Sequence, residues 1–203
     1  MNRRKIIQTI INKIGAKSYL EIGIGNGKLH TSIQCDHKVS VDPCVSSEWG
    51  DFKASSKLLP TFKLTSDEFF KQNSSTFDVI FIDGLHIAEQ VEKDIYNALR
   101  ILNPKGFIIC HDISPTTAQM QEVPRVQKTW TGDCWKAWVK IRSKNSNLSM
   151  YVVDTDFGCG VIQLGEQEIL DINNQDLTFE NLEKNRSKWL NLKDFKDWEK
   201  SQK

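Results

Sequence analysis

The 203-residue sequence predicts an α/β fold class: a doubly wound, mostly parallel sheet. Three observations carry that reading. Short apolar runs at 18–22, 38–41, 77–82 and 106–110 alternate with stretches of helical spacing, as a parallel sheet covered on both faces requires. A turn with glycine at every second position, Gly23, Gly25 and Gly27, joins the first run to the following helix. Four of the strands also end on polar groups, Glu21, Asp42, Asp83 and the pair His111-Asp112, which packing does not explain. In open α/β sheets, ligands bind beyond the carboxyl ends of the strands.

The opening stretch places Ile6, Ile7, Ile10, Ile11 and Ile14 on one helical stripe that stops at Gly15. Alternating glycines follow the first strand because a residue without Cβ accepts positive φ and lets a ligand lie against the backbone. The free N–H groups of the next helix point into the same space. Asp42 lies nineteen residues after Gly23 at the end of the next strand, where a carboxylate can accept hydrogen bonds from ribose hydroxyls. Residues 43–60, with Trp49 and Phe52, read as mostly loop, and 61–64 as a short strand. Thr65-Ser66-Asp67-Glu68 is a capping box, so a helix starts there. Capping accounts for Thr65 and Glu68, and leaves Ser66 and Asp67 free to face a ligand.

The strand 77–82 ends at Asp83-Gly84-Leu85-His86, and Ile87, Val91, Ile95, Leu99 and Leu102 then run at helical spacing to a turn at 103–106. The strand 106–110 ends at His111-Asp112. Residues 114–131 have no periodicity, and so long a structureless stretch points to a lid or binding loop. A helix carrying Trp135, Trp138 and Val139 follows, then two strands, 150–153 and 160–164, that read as a closing antiparallel pair. The charged tail spaces Phe179, Leu182, Trp189, Leu190, Phe195 and Trp198 for amphipathic helices. One domain, 1–203, is therefore expected: an N-terminal helix in 1–16, a core over 17–165 and a helical tail over 166–203.

Composition narrows the function classes. The formal charge of +1 gives no global argument for a nucleic-acid surface. No run approaches the roughly 20 apolar residues of a membrane span, and the basic, isoleucine-bearing start is not a signal peptide. Five scattered cysteines without a C-x-x-C pair read as reduced thiols of a cytoplasmic protein.

Glu21 stands two residues before Gly23, giving E-x-G-x-G-x-G, and Lys28 occupies the position where a dinucleotide fingerprint needs its third glycine. The pattern resembles motif I of the class I S-adenosylmethionine-dependent methyltransferases, which have a Rossmann-like sheet of about seven strands ending in an antiparallel strand. Asp83-Gly84-Leu85-His86, with an acidic position at Asp112, resembles the D-G-x-H branch that includes the macrolide-sugar O-methyltransferases. The likeness covers roughly 17–164. It implies S-adenosylmethionine held by Glu21, Gly23, Gly25, Asn26, Gly27, Asp42, Ser66, Asp67 and Asp83. It implies Asp83, His111 and Asp112 around a divalent metal (Mg, Mn or Zn), and His86 as catalytic base. His111 replaces the first acid of the branch's metal-binding pair, and imidazole suits zinc, iron or manganese better than magnesium.

Chemistry agrees with these residue types. A hydroxyl attacking a sulfonium methyl must lose its proton, which a base near neutrality or a bound cation makes feasible. The basic and aromatic segment 125–138 is read as an acceptor lid, with Trp130 and Trp135 as contacts, rather than a nucleic-acid face. The tetrapeptide at Asp83 also lacks the [DN]-P-P-[FY] of nucleobase amino-methyltransferases. The expected partner is a sugar or small polar acceptor. Two rival readings are a nicotinamide-dependent dehydrogenase, disfavoured by Lys28, and a non-catalytic cofactor-binding module.

Overall fold

The computed structural model describes residues 2–44 and 59–202. The expected loop at 43–60, including Trp49 and Phe52, lies mostly outside the described residues. Seven strands form one sheet: β1 (Ser18–Ile22), β2 (His37–Val41), β3 (Phe77–Ile82), β4 (Leu102–Cys110), β5 (Leu148–Asp154), β6 (Cys159–Leu164) and β7 (Leu192–Asp194). Their order is β2-β1-β3-β4-β6-β5-β7. The pairs β1/β2, β1/β3 and β3/β4 are parallel, and β6 runs antiparallel between β4 and β5. The doubly wound sheet with its closing antiparallel strand is as expected.

The seven strands are not quite the expected ones. Residues 61–64 contribute only a single parallel bridge, Val41 to Phe62, because Phe62 and its neighbours lie exposed outside β2. The seventh strand is instead β7, three residues paired parallel to β5 at the far edge. The turn at 103–106 survives as a break in the β3/β4 register, between the Phe77–Leu102 and Val79–Phe107 pairs.

Two apolar layers sandwich the sheet, as alternation along each strand dictates. On one face α1 (Asn2–Ile14) and α7 (Phe195–Ser201) pack Ile6, Ile7, Ile10, Ile11 and Trp198 against Tyr19, Val79, Phe81, Ile109 and Val161. Fully burying each such aliphatic side chain is worth about 1.5–3 kcal/mol. On the other face α3 (Ser66–Gln72), α4 (Ala88–Arg100), α5 (Cys134–Arg142) and α6 (Phe179–Leu190) bury Phe69, Val91, Ile95, Trp135, Trp138 and Trp189. The capping box at α3 forms as the sequence requires: Thr65 accepts from the Glu68 amide, and Glu68 answers to the Thr65 amide. The helix after the glycine turn, α2 (Lys28–Ser32), is only five residues long. All five cysteines are free thiols. No helix among the described residues is long and apolar enough to cross a membrane.

Candidate active site

The loops after β1 and β3 meet because the backbone there has no side chain in the way. Gly23 has φ +81°, and a Cβ at that position would fall 2.1 Å from the Asp83 carbonyl oxygen. The loop after β1 therefore presses directly on the loop after β3. Gly25 also has positive φ (+49°) but faces open space. Gly27 (φ +70°) is the N-cap of α2, and Asn26 Oδ1 accepts from the Lys28 amide at 3.1 Å.

Asp42 holds this loop in shape. Its Oδ2 accepts from the amides of Ile24 (2.9 Å) and Gly25 (3.2 Å), and its Oδ1 from the Cys44 amide (2.7 Å). Glu21 is buried, 1% exposed, against the Tyr19 hydroxyl (2.7 Å) and His30 Nδ1 (3.4 Å). Burial pushes its carboxyl pKa up despite those partners. Glu21 is thus placed as a buried brace beneath the loop rather than as an exposed contact, with His30 in the last turn of α2 as its buried partner. Ser66 and Asp67, expected to face a ligand, turn to α4: Gln90 Nε2 donates to Ser66 Oγ (3.2 Å), Asp67 Oδ1 (3.0 Å) and Asp94 Oδ1 (3.0 Å).

Beyond β3 and β4 four titratable groups converge. His86 Nε2 stands 3.3 Å from Asp83 Oδ1, and His86 Nδ1 stands 3.3 Å from Asp112 Oδ2. His111 Nδ1 is 3.1 Å from Asp112 Oδ1 and 3.4 Å from Asp83 Oδ1. Asp112 adopts positive φ (60°), a conformation Asp tolerates better than most residues and one that accumulates at functional sites. Burial alone would lower the pKa of His86, but its hydrogen bond to Asp83 and the charge of Asp112 outweigh burial and raise it. Burial works against ionised Asp83 as well. The two imidazoles overcome it and hold Asp83 well below the usual carboxylate range.

The third segment at this cluster is 114–133. Trp130 stacks on His86, with ring centroids 5.3 Å apart and planes 26° apart, and the Arg125 guanidinium lies 5.4 Å over the indole. Trp130 Nε1 donates to the Glu122 carbonyl. Gly132 (φ +58°) touches the His86 backbone so closely that a Cβ would sit 1.7 Å from its carbonyl oxygen. Asp133 Oδ1 accepts from the Ala88 amide (2.7 Å), supplying the cap that Ile87, at the N-cap of α4, lacks.

Two expected site residues lie elsewhere. Trp135 is not a lid contact: it is fully buried, stacks on Trp189 and donates from Nε1 to Gln121 Oε1. It sits on the inward face of α5, where an indole fills the core. His111 is not in the group of donors that can converge on one ion; that group is Asp83, His86 and Asp112, whose ligand atoms lie within 4.8 Å of one another. The Nε2 of His111 is turned away toward Arg3 (2.8 Å) and Asp156 (3.7 Å). Neither of those two residues was legible as part of the site, since Arg3 and Asp156 are 153 positions apart.

The sheet order and its antiparallel strand are those of the class I methyltransferase fold. Residues 20–113 match the family model for a methyltransferase domain. An O-methyltransferase from Bacillus cereus in complex with S-adenosylhomocysteine superposes with a TM-score of 0.55 at 15% identity, over 81% of each chain. TomG from Streptomyces achromogenes, an O-methyltransferase of tomaymycin synthesis solved with S-adenosylmethionine, gives 0.58 at 12% identity, over 81% of this chain and 80% of that one. MycE of the mycinamycin biosynthetic pathway, solved with Mg, S-adenosylhomocysteine and mycinamycin VI, gives 0.51 at 13% identity. That match covers 86% of this chain and 51% of MycE. At these identities the likeness is one of fold. No curated protein matches the sequence.

Proposed function

We propose that the protein is an S-adenosylmethionine-dependent O-methyltransferase acting on a hydroxyl of a sugar or small polar metabolite, with His86 as general base. The observation that carries this reading is an imidazole clamped between two carboxylates at the strand ends, directly across Gly23 from the glycine loop. S-adenosylmethionine supplies an electrophilic methyl group when bound. The glycine loop, shaped by Asp42, offers backbone close to the ligand; Gly25 faces open space where an approaching group meets no side chain.

The acceptor hydroxyl is too weak an acid to ionise in neutral water. His86 takes its proton as the oxygen displaces the sulfur of S-adenosylhomocysteine from the methyl carbon, and the carboxylates of Asp83 and Asp112 stabilise the imidazolium that results. Trp130 covers one face of that ring. His86 →Gln is expected to lower turnover by about 10²–10⁴-fold, while affinity for S-adenosylhomocysteine by calorimetry stays within about twofold. Radiolabelled methyl transfer to a panel of glycosides, polyols and phenols measures the first quantity. Undiminished transfer by the variant would remove His86 from the role.

The converging donors of Asp83, His86 and Asp112 support a second reading, in which they hold a divalent ion that acidifies the acceptor hydroxyl. Two carboxylates and an imidazole fit such an ion, and manganese or zinc better than magnesium. His86 would then be a ligand and not the base. A chelator separates the two readings: it abolishes transfer in the metal reading and leaves it intact in the base reading.

A further inference from the structure

The segment 122–132 contains no helix or strand, and its own side chains hold its backbone instead. The amides of Thr131 and Gly132 donate to the Met120 carbonyl (2.9 and 3.2 Å), which closes the loop. Trp130 Nε1 crosses it to the Glu122 carbonyl (2.6 Å). Arg125 reaches furthest. Its Nε donates to the Gln127 carbonyl (2.9 Å), its Nη2 donates to the Lys128 carbonyl, and its guanidinium lies 5.4 Å over the Trp130 ring.

Water would order this stretch the other way round. Val123 and Val126 are 43% and 55% exposed, whereas Arg125 between them is half-buried. A cation drawn inward beside two valines left outside reverses the usual preference, so the inward contacts of the arginine decide how the loop folds. Arginine suits the place as lysine would not. Its planar fork meets two carbonyls at once, and the flat guanidinium stacks on an aromatic face. The carbonyls it gathers belong to the residues that run into Trp130, so the indole is held through its backbone and through its ring together. That indole is the one stacked on His86.

We propose that Arg125 is a positioning residue for the active site: it fixes the Trp130 indole against the His86 ring and so sets the wall that an acceptor meets. The indole N–H is already taken by Glu122, so that wall presents carbon to the acceptor. This inference rests on the reading of His86 as the group beside which the acceptor hydroxyl reacts. It adds the residue that keeps the neighbouring wall in place.

Two-dimensional NMR spectra of the full chain test the proposal without any acceptor. The wild-type protein should show nuclear Overhauser contacts between the Trp130 indole and the His86 ring protons, and slow exchange of the indole Nε1–H with solvent. Trp130→Ala and His86→Gln identify the signals. Arg125→Met keeps the stem and removes the fork; it should lose the ring contacts and speed that exchange by about tenfold or more. Val126→Ser, a change on the outer side of the same loop, should leave both unchanged. Ring contacts retained in folded Arg125→Met would overturn the proposal. So would their absence from the wild-type protein, a result that stands even where the variant does not fold. In assays on the acceptor found by the panel, Arg125→Met should raise KM about 5–10-fold with kcat altered less. Combined with Trp130→Ala it should do no more than Trp130→Ala alone, and additive losses would overturn the link through the indole. A panel that yields no acceptor would count against the proposed function, whereas the ring contacts judge Arg125 by themselves.

Discussion

Two carboxylates at the two ends of β3, Asp78 and Asp83, show how a structural acid differs from one proposed to work in catalysis. Asp78, at the start of β3, accepts from the amides of Lys17 (2.8 Å) and Ser18 (2.9 Å), the Ser18 hydroxyl (3.0 Å) and Asn103 Nδ2 (2.7 Å). Asp83, just past its end, meets two imidazoles instead. Both carboxyls are held below their ordinary pKa, against burial, by their partners. The shift alone does not tell them apart. The partners do: fixed neutral donors can only staple a strand, whereas titratable rings can accept and return protons.

The largest effect that would break this comparison concerns turnover. Asp83→Asn is expected to cut methyl transfer per folded molecule by about 10²–10³-fold, because the amide keeps the shape but loses the charge. Equal losses of stability from changes at Asp83 and Asp78 would erase the distinction. A third carboxylate sharpens it. Asp94 is 1% exposed, and burial, only partly countered by hydrogen bonds from Ser66 and Gln90, raises its pKa to about 6. Between its ordinary value of 3.8 and about 6, the folded state keeps a proton that the unfolded chain has lost. Stability should therefore fall as pH rises through that window, by on the order of 3 kcal/mol. Asp94→Asn should flatten the slope in urea titrations at successive pH values.

At the other end of the strand, Asp78→Ala should cost about 2–3 kcal/mol of stability, since it strands several donors, with turnover per folded molecule unchanged. Denaturant melts paired with active-site titration would check both halves of that expectation. The smallest effect belongs to the lid: Trp130→Ala should raise the acceptor KM by about 5–10-fold, with kcat altered less, in steady-state assays on the acceptor found by the panel.

Much of the fold and part of the site were legible in the sequence because their signals are local. Apolar runs ending on acids located β1, β2, β3 and β4, and placed Asp83, His86 and Asp112 at one edge. The Thr65–Glu68 box fixed the start of α3 to the residue. What stayed hidden depends on contacts distant in sequence. The strand β7 reads Leu-Lys-Asp, too short and polar to register as a strand; it exists because β5 offers an edge. Trp135 and Trp130 look alike in sequence, five residues apart, yet the helical phase of α5 sends Trp135 into the core while Trp130, just before the helix, stays at the site. Exchanging His111 for His86 among the possible metal donors follows from Arg3, which approaches from the far side of the sheet. No spacing rule reports that approach.

The tight seam at Gly132 has one more implication. With no atom to spare between that glycine and the His86 carbonyl, and with Asp133 clasping the start of α4, the segment bearing Trp130 travels with the imidazole as a single piece. On the proposed function, a change of acceptor would fall on the outer residues 122–129, Arg125 apart, and leave the stacking of indole on imidazole in place.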